Sequence, residues 1–324
     1  MGADVTRVTI AVLTFRRPAS LETLLPALLD QAATGSSAHP CEVDVLVVDN
    51  DLEASASAAV ARVRDGQGGG RLRYVAEPVP GIAAARNRAL DEAEGSRLLV
   101  FIDDDENPDV GWLGALCQTW ADTGAAAVAG RVVEAFSAPP DPWIVAGRFF
   151  QRRSLPTGTP VAAAGAGNLL LDLDQIRALG VRFDDRLGMA GGEDTLFCAQ
   201  LRRRGGVIVW CEEARAFDNI PATRLSRRWV LARAFSHGNT AARVALLLAD
   251  GPAVRMVVRA QLMTRGLVRV AGGSARGLLG LVAGHAEHQA RGLRTALRGV
   301  GMAAAAAGWT HQEYRRSNPV GATG

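Results

Sequence analysis

Apolar runs alternate with amphipathic segments over the first half of the chain. The runs predict buried strands at 8–15, 42–50, 71–77, 97–103 and 125–133. Between them, leucine or alanine recurs at helical spacing in 20–32, 53–64 and 81–95. Strands separated by helices imply parallel pairing, and near-continuous apolar strands imply a sheet covered on both faces. The pattern therefore predicts an α/β fold, a doubly wound and mostly parallel sheet.

Two of these strands end in polar and acidic residues. The second ends at Asp49 and Asn50, and the fourth ends in Asp103, Asp104 and Asp105. The carboxyl ends of parallel strands meet at one edge of a sheet, which is where such sheets bind ligands. Both groups of side chains are therefore expected at the same edge.

The three consecutive aspartates favour a divalent cation. Mg²⁺ and Mn²⁺ take oxygen ligands and often bind through one or two carboxylates plus substrate phosphates. Alternate residues of a strand end can point the same way, so Asp103 and Asp105 are the candidate ligands. The alternative is a solvated loop before the next helix, for which Asn107 is the predicted cap and Pro108 the first helical residue. That loop explains one or two carboxylates but not three.

Two further segments carry candidate chemistry. "GGEDT" places Glu193 and Asp194 at a predicted helix start, where the helix dipole keeps a carboxylate ionised and ready to accept a proton. The alternative is that these carboxylates only compensate the dipole. "AGAGNLL" joins small residues, which permit close approach of a ligand, to the amide of Asn168. Its alternative is a tight turn before a strand.

The composition changes near residue 250, which predicts a domain over 1–249 and a helical, arginine-rich extension over 250–324. Arginines spaced among apolar residues suit helices packed on the main domain or attached peripherally to an anionic membrane. No segment has the pattern of a membrane span. The longest charge-free stretch, 154–171, is interrupted by prolines and glycines.

The overall composition is that of a globular protein with a sizeable core, because 48% of its 324 residues are hydrophobic and 21% are charged. The net charge is +3, but all 36 basic residues are arginine, which indicates codon bias rather than a nucleic-acid partner. Four scattered cysteines and a strand-like start without a secretory signal favour reduced thiols and a cytoplasmic protein.

The ordered motifs "VTIAVLTFRRP", "VLVVDND", "EPVPGIAAARNRAL", "FIDDDENPDVGWL", "GNLLLD" and "GMAGGEDTLF" resemble the inverting family 2 glycosyltransferases. The resemblance covers about residues 7–240 and is strongest to bacterial enzymes that build exopolysaccharides such as succinoglycan. It implies the nucleotide-sugar-binding α/β fold called GT-A. It also implies a sugar donor linked to UDP, or less commonly to GDP or dTDP, a divalent metal (Mn²⁺ or Mg²⁺), and a saccharide or lipid-linked saccharide acceptor.

The same resemblance assigns roles by position. The residues expected to contact the nucleotide sugar are Asp49, Asn50, Arg86, Asn87, Asp103 and Asp104. Asp105, with Asp103, would hold the metal that bridges the diphosphate. Asp194 would be the catalytic base. The residues expected on the acceptor or diphosphate side are Asn168, Glu193, Arg228 and Trp229.

Arg228 and Trp229 lie in "LSRRW", which resembles the Q-x-x-R-W motif of processive members except that Leu225 replaces the glutamine. This difference argues against a processive synthase. An amphipathic helix packed in the core is the alternative reading of the segment.

Other function classes fit the sequence less well. A nucleotidyltransferase would need a glycine-rich phosphate loop after the first strand and usually a lysine, and the chain has neither feature. A dinucleotide-dependent dehydrogenase would need G-x-G-x-x-G at that position. A non-catalytic scaffold that keeps the fold for binding stays open.

Overall fold

The computed structural model describes residues 5–34, 41–66, 69–187 and 191–311. Its strands are β1 (Thr6–Thr14), β2 (Cys41–Asp49), β3 (Leu72–Ala76), β4 (Leu98–Asp103), β5 (Glu106–Pro108), β6 (Ala127–Phe136), β7 (Asn168–Asp172) and β8 (Ile208–Ile220). Its helices are α1 (Pro18–Thr34), α2 (Ser57–Gly66), α3 (Ile82–Glu92), α4 (Trp112–Thr123), α5 (Pro142–Ala146), α6 (Leu173–Ala178), α7 (Glu193–Arg203), α8 (Arg227–Leu247), α9 (Pro252–Val282) and α10 (Ala286–Ala306).

The strands form one sheet in the order β3-β2-β1-β4-β7-β6-β8-β5. The β1–β2, β1–β4, β2–β3 and β6–β8 pairs are parallel, whereas β7 runs antiparallel to both β4 and β6. The predicted α/β class and mostly parallel sheet are therefore confirmed. All five strands expected from the apolar runs are present, and so are the three helices between them.

The predicted helix start at Asn107 and Pro108 is wrong. These residues belong to β5, which pairs with β8 at one end of the sheet through Asn107 and Phe217. Proline is tolerated in such an edge strand because its missing N–H need not serve a second neighbour. Helix α4 begins only at Trp112, after Gly111 turns the chain with a left-handed φ of 77°.

Side chains alternate between the two faces of the sheet and build a core on each. On one face Val8, Ile10 and Val12 pack with the buried leucines of α1. On the other, Ala11, Leu46 and Val48 pack with alanines of α3 and with Phe197 of α7. The sheet is thus packed on both faces, and the polar residues that follow its strands are held in place by this core.

The chain divides into two compact units. The first comprises Met1–Asp141, Phe150–Asp185 and Glu193–Ser226, and it contains the whole sheet. The second comprises Pro142–Phe149, Arg186–Gly192 and Arg227–Gly324. The compositional change near residue 250 falls inside this second unit, and the division into domains at that point stays a prediction.

Helices α9 and α10 of the second unit pack backbone to backbone. A Cβ added to Gly266 would lie 2.9 Å from the Gly299 carbonyl oxygen, and one added to Gly273 would lie 2.7 Å from the Gly292 carbonyl oxygen. A Cβ on Gly280 would lie 2.4 Å from a backbone nitrogen of α10. Only glycine permits this approach. In the described part of the chain, every helix is too short or too polar to span a membrane.

Candidate active site

The polar edge of the sheet is built by the ends of β1, β2 and β4. Thr14 pairs with Asp49 and Leu13 with Asp103, which brings the two predicted groups to one edge. The segment before β7 reaches the same edge, because the Asp103 amide donates to the Gly167 carbonyl at 3.2 Å. The predicted meeting of these strand ends is therefore observed.

Asp49 and Asn50 brace the loops around this edge. Asp49 is fully buried and accepts hydrogen bonds from the Ala56 amide at 2.8 Å and the Tyr74 hydroxyl at 3.0 Å. The Asn50 side chain donates to the carbonyls of Glu77 and Val79 at 2.9 and 2.7 Å. These bonds fix the loops after β2 and β3, and a contact of either side chain with the nucleotide stays a prediction.

Asp104 and Asp105 share one arginine. Asp104 is 8% exposed and its Oδ2 accepts from the Thr14 hydroxyl at 2.8 Å. Arg17 Nη1 donates to Asp104 Oδ1 at 2.8 Å and to Asp105 Oδ2 at 3.1 Å. Arg224 Nη2 donates to the same Asp105 oxygen at 3.3 Å. Sequence patterns did not reveal Arg17 or Arg224, because they lie 87 to 119 residues from the aspartates that they contact.

Asp103 lies against the glycine segment. A Cβ added to Gly167 would lie 2.5 Å from Asp103 Oδ2 and 3.1 Å from Glu106 Oε1, so both carboxylates border the same small space. Burial raises the pKa of Asp103 to about 7; Arg86 opposes this rise, and the neighbouring carboxylates add to it. Burial, reinforced by the charge of Asp103, also raises the pKa of Glu106 well above its usual range.

The sequence pattern does not single out Glu106, because this residue lies between the three aspartates and a segment with the local chemistry of a helix start. Its Oε2 is buried and has no hydrogen-bond partner. An orphaned carboxylate oxygen beside Asp103 is the kind of atom that a cation or its bound water satisfies.

Arg86 and Glu193 form a buried ion pair between α3 and the first residue of α7. The Arg86 guanidinium also lies over the Phe183 ring, 5.4 Å from its centre. Burial raises the pKa of Glu193, and Arg86 opposes that rise. Asn87 anchors a neighbouring segment, since its side-chain amide donates to the Phe183 carbonyl at 2.9 Å.

Asp194 has different surroundings. Its Oδ1 accepts from the Thr195 amide at 2.6 Å, at the start of α7. Its Oδ2 lies on the side of Gly165, where an added Cβ would be 3.8 Å away. Asp103 and Asp194 thus lie near opposite ends of the segment 165–167.

The side chain of Asn168 joins three other elements of the fold by hydrogen bonds. Its Oδ1 accepts from the Trp112 indole at 2.9 Å, and its Nδ2 donates to the carbonyls of Arg131 and Ala214 at 3.1 and 2.9 Å. The residue is 1% exposed. Its expected role on the acceptor or diphosphate side stays a prediction.

Arg228 and Trp229 lie on α8 and belong to the second unit. Arg228 is exposed, and Trp229 lines a small cavity with Phe149, Arg294 and Arg298. Their predicted contacts with the diphosphate and the acceptor sugar stay predictions.

The aspartates at the edge have the chemistry expected of a metal site that substrate completes. No three His, Cys, Asp or Glu side chains among the residues described are arranged to hold a metal. Mg²⁺ and Mn²⁺, however, commonly bind through one or two carboxylates and take the remaining ligands from water and substrate phosphates. Asp103 and Asp105, with the orphaned Glu106 oxygen beside them, therefore fit such a cation.

Comparison with known proteins places this chain in a family. The family model described as glycosyl transferase family 2 matches residues 9–170. The chain is 34% identical over 251 residues to the succinoglycan biosynthesis protein ExoM of Rhizobium meliloti (strain 1021), across 78% of this chain and 79% of that protein.

Solved structures share the fold at low sequence identity. The mannosyltransferase PcManGT from Pyrobaculum calidifontis, in complex with GDP-Man and Mn²⁺, gives a TM-score of 0.59 at 16% identity over 92% of this chain and 87% of that one. S. aureus TarS 1-349 in complex with UDP-GlcNAc gives 0.52 at 13% identity over 90% and 91%. Against the longer TarS chain the TM-score is 0.53 at 15% identity, and the match covers 78% of this chain but only 42% of TarS.

The acidic sheet edge, the family match and the curated relative agree with the resemblance read from the motifs. This chain belongs to glycosyl transferase family 2 and is a glycosyltransferase with the GT-A fold.

Proposed function

We propose that this enzyme transfers one sugar, with inversion, from a nucleotide-diphosphate sugar to a hydroxyl of a saccharide or lipid-linked saccharide. UDP is the expected nucleotide, and Mn²⁺ or Mg²⁺ the expected metal. The biosynthesis of an exopolysaccharide or glycoconjugate is the expected pathway class, supported by the name of the relative from Rhizobium meliloti. The Mn²⁺ and nucleotide sugars in the structural neighbours support the donor and the metal.

One observation carries the proposal: Asp103 and Asp194 lie near the two ends of the segment 165–167. An inverting displacement needs a base on the face opposite the leaving group, so the base must be separate from the carboxylates on the diphosphate side. Here the two carboxylates come from different elements, β4 and α7, and lie near different ends of a segment of small residues. The donor's anomeric carbon would lie beside that segment.

In this mechanism Asp194 accepts the proton of the acceptor hydroxyl. The hydroxyl oxygen forms a bond to the anomeric carbon while the bond from that carbon to the phosphate oxygen breaks. The electron pair of the broken bond goes to the nucleoside diphosphate, and the transition state resembles an oxocarbenium ion. A bound metal would supply positive charge for the leaving diphosphate.

Glu193 and Arg86 position this base. Arg86 holds Glu193 in a buried ion pair, so we assign Glu193 a structural role. Asp194 is then the carboxylate at this helix start that lies near the glycine segment. Arg86 also lies close enough to Asp103 to oppose the rise that burial causes in the pKa of that carboxyl. One arginine thereby links the carboxylates on the two sides of the site.

The second unit supports a peripheral position on the inner face of the cell membrane. Its α9 carries exposed side chains of both kinds that an anionic interface binds. The apolar ones are Val254, Met256, Val257, Leu267, Val268, Leu278, Leu279, Leu281 and Val282. The exposed basic ones are Arg255, Arg259, Arg265 and Arg269, and α9 contains no acidic residue. Its glycines pack against α10, which leaves the large apolar side chains on the outside.

The experiment that tests the function is a screen of UDP-, GDP- and dTDP-sugars against the purified protein. Thermal unfolding with and without Mn²⁺ identifies the donor, because a ligand at a hundredfold excess over its dissociation constant stabilises the fold by ~2.7 kcal/mol. Donor hydrolysis and transfer to saccharide acceptors then measure activity. Stabilisation without any turnover of any donor would favour the scaffold alternative.

A further inference from the structure

A positive charge already lies among the aspartates of the sheet edge. The Nη1 atom of Arg17 lies between Asp104 Oδ1 and Asp105 Oδ2, at 2.8 and 3.1 Å. Arg224 contacts the same oxygen of Asp105 at 3.3 Å. The repulsion within the acidic run is therefore offset by guanidinium groups at the place where the divalent cation is expected.

The turn after β1 directs Arg17 to this place. Arg16 has a left-handed φ of 57°, which is uncommon for a residue with a side chain. Its guanidinium donates to Asp51 Oδ2 at 3.1 Å, and α1 begins at Pro18. Strained residues of this kind persist only where the surrounding contacts hold them, and they concentrate at functional sites.

We propose that Arg17 is the counter-cation of the free enzyme and that a divalent cation binding at Asp105 displaces it. This inference rests on the metal-dependent function proposed above. Mg²⁺ binds its oxygen ligands at about 2.1 Å, and the close approach of two like charges to one oxygen is unfavourable. Cation and guanidinium therefore compete for Asp105.

The surroundings allow the exchange. The Arg17 side chain is 44% exposed, so it can move into solvent without opening the core. Asp104 keeps its hydrogen bond from Thr14 when Arg17 leaves, so the strand end stays in place. The released guanidinium is a suitable partner for a diphosphate oxygen, since arginine binds phosphate through charge-assisted hydrogen bonds.

Metal and nucleoside diphosphate should consequently bind with positive coupling. The diphosphate would supply further oxygen ligands for the metal and would also give the displaced arginine a new partner. By linkage, each ligand raises the affinity of the other by the same factor. Part of this increase in affinity comes from Arg17. The arginine competes with the metal when no nucleotide is bound, and it competes less once the diphosphate binds it.

The test uses the full chain and titrates it with MnCl₂, following free Mn²⁺ by electron paramagnetic resonance, in the absence and presence of UDP. Arg17→Ala should bind Mn²⁺ alone about tenfold tighter than wild type, which equals ~1.4 kcal/mol. The enhancement of Mn²⁺ affinity by UDP should shrink in the variant by a similar factor. Arg17→Gln should shift both quantities in the same direction and protects the test against poor folding of the alanine variant.

Arg62→Ala is the matched control, because it removes the same charge from an exposed arginine of the first unit whose partner is Glu22. It should change Mn²⁺ affinity less than about twofold. The exchange is overturned if both Arg17 variants bind Mn²⁺ as wild type does or more weakly, and also if Arg62→Ala gains as much affinity as they do. If wild type binds no Mn²⁺ even with nucleoside diphosphates, the metal-dependent function fails as well. If wild type binds Mn²⁺ and both Arg17 variants bind it as wild type does, the exchange alone fails.

Discussion

Arg86 and Glu193 form an ion pair in which both side chains are almost fully buried, 5% and 4% exposed. Asp194 follows Glu193 directly in the chain, but it is bonded to Thr195 and faces Gly165. Two adjacent carboxylates at one helix start therefore have separate environments. This difference gives each of them its own measurable behaviour.

Asp194→Asn keeps the shape of the side chain and removes its basicity. Loss of a general base typically lowers the rate 10²–10⁴-fold, so we expect transfer to fall by about that factor. Binding of UDP and Mn²⁺ should stay near wild type in calorimetry. Normal transfer by this variant would place the base elsewhere in the site.

Glu193→Gln should act mainly on stability. Removing one partner of a buried ion pair leaves an uncompensated charge, at a typical cost of about 3–5 kcal/mol. We expect a clear loss in the free energy of unfolding, measured by urea denaturation, whereas Asp194→Asn should change it little. If Glu193→Gln instead keeps full stability and abolishes transfer, the roles of the two carboxylates are reversed.

Asp105→Asn should weaken Mn²⁺-dependent binding of UDP more than Asp104→Asn does. Asp104 is hydrogen-bonded to Thr14 and is mostly buried. Asp105 is 26% exposed, and the side-chain partners described for it are the half-buried arginines Arg17 and Arg224. Calorimetry of UDP with MnCl₂ compares the two variants. Equal effects at both positions would contradict the assignment of Asp105 as metal ligand.

Gly167→Ala should disturb the metal side of the site. Its new methyl group would lie 2.5 Å from Asp103 Oδ2, so the carboxylate must move. Gly165→Ala is the matched control, because there the nearest side-chain atom lies at an ordinary 3.8 Å. We expect Gly167→Ala to lose Mn²⁺ affinity and transfer, and Gly165→Ala to keep Mn²⁺ affinity.

The protein should bind anionic liposomes through its second unit and float with them at low salt. Each basic residue near such a surface contributes about 1 kcal/mol, and salt screens the attraction. Replacing Leu278 and Leu281 by glutamine should reduce flotation. Val110→Gln is the control, since Val110 is 96% exposed but lies in the first unit. Wild-type protein that remains unbound at low salt would favour a helical unit without a membrane role.

The strands could be predicted because helices cover both faces of the sheet. A strand buried on both faces is apolar at nearly every position, so it stands out in the sequence as a long apolar run. The start of α4 could not, because Asn107 and Pro108 have the local chemistry of a helix start and only pairing with β8 makes them a strand. Arg17 and Glu106 were missed for a related reason. Their contacts with the acidic cluster depend on tertiary structure, and no local pattern distinguishes them from other surface charges.

The direction of β7 has a consequence for how this site can exist. In an all-parallel sheet, only segments that leave a strand reach the carboxyl edge. Because β7 is inverted and Asn168 pairs with Ile102, the segment that enters β7 arrives at that edge instead. The antiparallel direction of β7 therefore places residues 165–167 near the carboxylates of Asp103 on β4 and Asp194 on α7. Had β7 run parallel, the same glycines would lie at the far end of the sheet, away from Asp103.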